Sequence, residues 1–135
     1  MACPYFDPVA PQVNGNGPEH AMLPLGGFWE GLCRALPGDP WQPDRATLHS
    51  LCNLGYARGT CTRFPAGDGP DAVRFAVTGD DGAGVSLYYA IERDHHPFAH
   101  GPIENPSAVS STLLARQAEA YIQSYRRRKK EAGRN

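Results

Sequence analysis

The clearest alternation of apolar and polar positions lies in the middle of the chain. Val73, Phe75 and Val77 alternate with Arg74 and Ala76, and Val85, Leu87, Tyr89 and Ile91 alternate with Ser86, Tyr88, Ala90 and Glu92. A period of two is that of a half-buried strand. Between the two runs, Gly79-Asp80-Asp81-Gly82-Ala83-Gly84 supplies residues that tolerate turn geometry. The pattern predicts a β-hairpin with strands over about 72–78 and 85–93. Two strands alone are marginal in water, so another element must cover their apolar face. Leu114, Ala118, Tyr121, Ile122 and Tyr125 recur at helical spacing, which predicts a C-terminal helix over about 106–130 as that cover. Asn105 would cap it, with Pro106 at the first helical position. A short helix is expected over about 44–54, where Asp44 is a suitable N-cap, Leu48, Leu51 and Cys52 share a face, and Gly55 can end it.

Proline changes the picture at the N-terminus. Eight of the 13 prolines fall within residues 1–43, a stretch that proline bars from forming a long helix or a central strand. The same stretch carries Tyr5, Phe6, Leu25, Phe28, Trp29 and Trp41, so it reads as an ordered but irregular wrap over a core. With 15 Gly and 13 Pro in 135 residues, about a fifth of the chain disfavours regular elements, which excludes a plain helical bundle. The expected class is small α+β, in a single domain over 1–135.

A formal net charge of −1 conceals an uneven distribution. Residues 1–115 hold six arginines against twelve acids, and residues 116–135 hold seven basic residues against Glu119 and Glu131. The run Arg126, Arg127, Arg128, Lys129 and Lys130 suits the C-terminal end of a helix dipole. It is a candidate anion-binding element through which nucleic acid would be a partner, set against a plain solvated, frayed tail over 126–135. No segment approaches the length of a membrane span, so no membrane partner is expected. The opening residues lack a basic start and an apolar stretch, which predicts a cytoplasmic, reducing location.

Candidate chemistry centres on Cys3, Cys33, Cys52 and Cys61. In a reducing compartment disulfides are disfavoured, which leaves unrelated buried thiols or one shared metal site. Cys3 and Cys33 bracket most of the proline-rich wrap, which a tie at both ends would order. Cys52 and Cys61 flank a helix end and a Gly-rich turn, whose free amides can approach sulfur. The Cys3-Pro4 dipeptide resembles those that follow cluster ligands. Structural zinc sites normally use cysteines two to four residues apart, a spacing lacking here. A [4Fe–4S] cube accepts widely spaced thiolates, so an iron–sulfur cluster is the leading expectation, with zinc as the close alternative and no metal as the third.

A second polar set is Glu92, Asp94, His95, His96 and His100. Imidazoles and carboxylates can serve acid–base or metal chemistry, which would make the chain a small enzyme. Pro97 argues against the helix that would put His96 and His100 on one face, and a solvated strand end explains the same residues. Asp80 and Asp81 lack the spacing of a calcium loop and read as turn residues. No phosphate-binding glycine loop or nucleophile motif is present.

The run Leu23-Pro24-Leu25-Gly26, followed by Cys33 and then by Cys52-Asn53-Leu54-Gly55-Tyr56-Ala57-Arg58-Gly59-Thr60-Cys61-Thr62-Arg63-Phe64-Pro65, resembles small uncharacterised bacterial proteins sharing such a cysteine framework. The resemblance spans about Cys3 to His100 and implies no activity. The expectation is a non-catalytic metal-binding protein used for electron transfer, redox sensing or structural support of a protein partner. The competing readings are a metal-free binding module built on the basic helix and a small enzyme using residues 92–100.

Overall fold

The alternating segment folds as the expected hairpin and then continues into a third strand. The computed structural model describes residues 2–11, 24–35, 40–54, 61, 64, 70–82, 84–94, 96–104 and 112–132. Within them, β1 (Phe6–Pro11) and β2 (Trp29–Cys33) form a two-stranded antiparallel sheet. α1 (Arg45–Thr47) widens into a π turn over Leu48–Cys52. β3 (Ala72–Asp80), β4 (Val85–Arg93) and β5 (His96–Glu104) make a three-stranded antiparallel sheet, and α2 (Leu113–Ala132) closes the chain. The class is α+β. No helix among the described residues is long and apolar enough to cross a membrane.

The β3–β4 pairing runs from Ala72 opposite Glu92 to Asp80 opposite Val85. The turn is closed by its own aspartates: Gly82 N–H donates to Asp80 Oδ1 at 3.0 Å and Gly84 N–H to Asp81 Oδ1 at 2.7 Å. β5 lacks a clean alternation and contains Pro97 and Pro102. It is tolerated because β5 pairs only with β4, and an edge strand needs half of its backbone donors. Asp94 turns the chain between β4 and β5 at φ +55°. Its N–H donates to the buried Asp71 carboxylate at 2.6 Å.

The expected irregular wrap is corrected in part, since residues 6–11 and 29–33 are strands. Both strands of a two-stranded sheet are edges, which is where proline is accepted. The pairing slips between Pro8 and Ala10, a bulge that accommodates Val9. Gly31 faces Asp7 so closely that a Cβ there would lie 2.0 Å from the Asp7 carbonyl oxygen.

The short helix is also more particular than expected. Asp44 caps it as foreseen, accepting the Thr47 N–H at 2.8 Å. Beyond Leu48 the ladder shifts, and Asn53 N–H reaches Leu48 O at 2.9 Å. α2 begins at Leu113, where Thr112 Oγ1 accepts the Ala115 N–H at 3.1 Å. The expected cap at Asn105 and Pro106 lies outside the described residues, as does Gly55.

α2 holds the two sheets together. Tyr121 packs on Phe75 of β3 with centroids 5.8 Å apart. On the other side, Ser124 Oγ accepts the buried Trp29 indole N–H at 3.1 Å, beside Gly26, whose φ of +74° and close approach to Ser124 exclude a side chain. Phe6, Leu25, Trp29, Leu48, Val73, Phe75, Leu87, Ala118, Tyr121 and Ile122 form the shared core. Ala2 pairs in both directions with Val73 at 2.8 and 2.9 Å, which places the N-terminus against β3 and carries Cys3 toward the core.

A candidate four-cysteine site

Backbone contacts draw the cysteine-bearing segments together. Cys3 N–H donates to Cys52 O at 3.0 Å, and Phe6 N–H closes a turn back to Cys3 O at 3.2 Å. Phe6 stands opposite Cys33 in the β1–β2 register. Cys33 exchanges both backbone hydrogen bonds with Trp41, at 2.7 and 3.0 Å. Cys61 sits in a turn closed by Phe64 N–H at 3.2 Å, and the Phe64 ring meets Tyr5 edge-on at 5.4 Å. Cys61 is thereby linked to the Cys3 turn. Cys3, Cys33 and Cys52 are buried, Cys61 is half-buried, and all four are free thiols.

Burial and the neighbouring thiols act on the cysteines in the same direction. Burial pushes the Cys3 thiol up to about 12, with the charges of Cys33 and Cys61 adding to the effect and a backbone hydrogen bond from Tyr5 opposing it. Burial likewise pushes Cys52 up to about 12, and there Cys3, Cys33 and Cys61 all contribute. Each negative charge in such a set makes the next one harder to form. In the absence of a cation the two deepest thiols stay protonated at neutral pH. Among the described residues no group of three or more His, Cys, Asp or Glu side chains is drawn in tightly enough to hold one metal ion. The thiols are neighbours within electrostatic range and do not form a ready-made single-ion tetrahedron.

Two buried amides hold this arrangement, and the hydrophobic pattern gave no warning of either. Asn53, directly after Cys52, accepts the Trp29 N–H at 2.8 Å and donates to Trp29 O and Leu48 O, both at 2.9 Å. It ties the π turn to the start of β2. Gln117 on α2 donates to Cys3 O at 2.9 Å and Phe6 O at 2.7 Å, which pins the Cys3 turn to the helix. The available signal for Gln117 was a polar residue on the apolar stripe, one turn from Leu114 and from Tyr121. A third clamp is Asp7, almost fully buried, which takes Arg34 Nε on one oxygen at 2.7 Å and Arg116 Nε on the other.

No protein-family model matches the chain, nor does any curated protein or solved structure.

Of the other candidate residues, Glu92, Asp94 and His96 lie around the β4–β5 turn and His100 stands further along β5. Glu92 ends β4 and Asp94 occupies the turn; His96 stands opposite Arg93 and His100 opposite Ala90. His95 lies outside the described residues. His96 and His100 are four positions apart on one strand, about 13 Å, and both are exposed. His100 Nδ1 hydrogen-bonds the Tyr88 hydroxyl. Among the described residues, Asp94, His96 and His100 are exposed, an arrangement that suits a solvated strand end.

The basic segment departs from the expected frayed tail over 126–135, because α2 stays helical to Ala132. Arg127 lies over the Trp29 ring at 5.5 Å and Arg128 over Tyr125 at 5.7 Å. Lys129 Nζ and the Tyr125 hydroxyl both bond Asp80 Oδ2, at 2.5 and 2.8 Å. The Lys129 ammonium holds the Asp80 carboxyl far below the usual range. Much of this charge is engaged with the protein's own body; Arg126 is exposed, and the Lys130 side chain lies outside the description.

Proposed function

We propose that this protein is a small redox protein in which Cys3, Cys33, Cys52 and Cys61 hold one [4Fe–4S] cluster. The observation that carries the reading is the gathering of four free thiols from four separate segments within electrostatic reach of one another. A cube spans more space than a single ion, with sulfur ligands about 6–7 Å apart rather than the about 3.8 Å implied by tetrahedral zinc, and it accepts ligands from widely spaced segments.

A bound cluster supplies one-electron chemistry. The chain's part is to ionise, position and shield. The two deepest thiols must lose their protons to bind, so metal loading releases protons and is favoured by rising pH. Asn53 and Gln117 fix the backbone on either side of the ligands, which keeps the ligand geometry constant as the charge changes. Tyr5, Phe64 and Trp29 provide apolar surroundings, a lever on reduction potential. The role that follows is electron exchange with a protein partner, or response to the redox state of the surroundings, without substrate turnover.

Anaerobic reconstitution with ferrous iron and sulfide tests the proposal. The expected product is brown protein with about four irons and four sulfides per chain, whose visible absorption bleaches with one electron of reductant. One colourless zinc per chain would assign the same ligands to zinc. Folded protein that takes up neither metal would overturn the site.

A further inference from the structure

The face of the three-stranded sheet turned away from α2 carries a second surface unrelated to the cysteines. By register it presents Arg74 and Ala76 on β3, Tyr88 and Ala90 on β4, and Phe98, His100 and Pro102 on β5. Phe98 is 53% and Tyr88 39% exposed, unusual for large aromatic side chains that serve only the fold. Tyr88 and His100 are joined through their edges by the hydroxyl–Nδ1 hydrogen bond, with centroids 5.7 Å apart and planes tilted by only 32°. They form two adjoining ring surfaces, inclined to one another and joined by that hydrogen bond. Phe98 lies two positions before His100 on β5, about 6.7 Å away. The alanines beside them keep the floor low. Arg93 lies over Phe98 at 5.2 Å, and Arg74 stands opposite Ala90 at the other margin. The acids that the register places on this face stand at its two ends, Glu92 beside the β4–β5 turn and Glu104 at the far end of β5.

We propose that this sheet face binds single-stranded nucleic acid, with bases stacking on the Tyr88–His100 surface and on Phe98 while Arg74 and Arg93 meet phosphates. Stacking on exposed rings between cations is how sequence-tolerant single-strand sites work. A ring pair locked by its own hydrogen bond loses little freedom on binding. A duplex hides its base faces and is not the occupant. Basic margins select a polyanion over an uncharged sugar, which would use the same ring faces.

The test is fluorescence anisotropy of a labelled oligouridine, and of its DNA counterpart, with the full chain as purified at low salt. Saturable binding is expected, with the matching duplex bound more weakly. Tyr88→Ala and Phe98→Ala should each weaken binding about 5- to 100-fold. Arg74→Gln should weaken it and lower the salt slope by about 1. Tyr88→Phe, which keeps the ring, should stay within a few-fold of the parent. These side chains are exposed, so melting temperatures should hold and separate lost binding from lost fold. The proposal is overturned by absence of saturable binding, by binding that survives both alanine variants, by binding abolished instead by Arg126→Gln, or by capture of a neutral oligosaccharide in preference to the oligonucleotide.

Discussion

At the scale of single residues, the most consequential positions are small or polar ones that the hydrophobic pattern passes over. Gly31 is required by approach distance: a methyl group would meet the Asp7 carbonyl at 2.0 Å, and a backbone atom cannot step aside cheaply. Gly31→Ala should therefore separate β1 from β2, costing about 3 kcal/mol or more in a denaturant titration. Asp94 offers the opposite case. Its φ of +55° is a strained conformation for a residue with a side chain, while its N–H bond to Asp71 uses only backbone. Asp94→Gly should leave stability unchanged or raise it by up to about 1 kcal/mol, read from the same titration. Asn53→Ala would strip the side-chain partner from Trp29 N–H and Trp29 O in a buried setting, while Leu48 O keeps the Asn53 backbone N–H. The expected loss is about 2–4 kcal/mol, with impaired uptake of the proposed cluster because Cys52 is the neighbouring residue.

At the scale of elements, α2 is the organiser. One face reaches the cysteine turn through Gln117, the Trp29 indole through Ser124, and β3 through Tyr121. The Asp7 carboxylate ties β1 to α2 and to the residue after Cys33. Breaking one partner of a buried pair is costlier than removing an exposed one, and here the buried member is the acid, since both arginine side chains are 45% exposed. Asp7→Ala should thus destabilise by about 2 kcal/mol or more, and Arg34→Ala by less than about 1 kcal/mol because Arg116 remains. Thermal melting of the two variants side by side checks the order. The strand content of residues 6–11 and 29–33 was hidden at this scale too. Their prolines speak against central strands, yet each pairs with a single neighbour, where a missing donor costs nothing.

At the scale of the whole molecule, the thiols link folding to pH. Cys3 and Cys52 have their ordinary value of 9.0 raised to about 12 by burial. The folded state therefore holds protons that the unfolded chain releases first. Their contribution to stability is complete below pH 9 and is lost as pH rises toward 12. Metal-free protein should melt at progressively lower temperature across that window. Cys3→Ala with Cys52→Ala should flatten the slope, a comparison made by melting curves at fixed ionic strength. A bound cation would reverse the electrostatics, since it favours the thiolates, so the loaded protein should lose this alkaline sensitivity.

The α+β class, the β3–β4 hairpin and its aspartate turn, the Asp44 cap and the amphipathic stripe of the C-terminal helix were all legible in the sequence. Each depends on neighbours within a few residues: a period of two, a period near 3.6, a turn that satisfies its own amides. The four cysteines were legible as candidates only by residue type. That their segments adjoin depends on Ala2 pairing with Val73, on Cys3 N–H reaching Cys52 O and on Tyr5 touching Phe64, contacts between segments tens of residues apart that no local period encodes. The same holds for β5, whose irregular residues become a strand because β4 offers a free edge. It holds also for the basic run, which the sequence presents as a solvated charge and the folded chain spends largely on Trp29, Tyr125 and Asp80. Local propensity and patterning set which elements form, and long-range packing decided which polar groups were buried together, because burial is a property of what a side chain faces and not of where it stands in the chain.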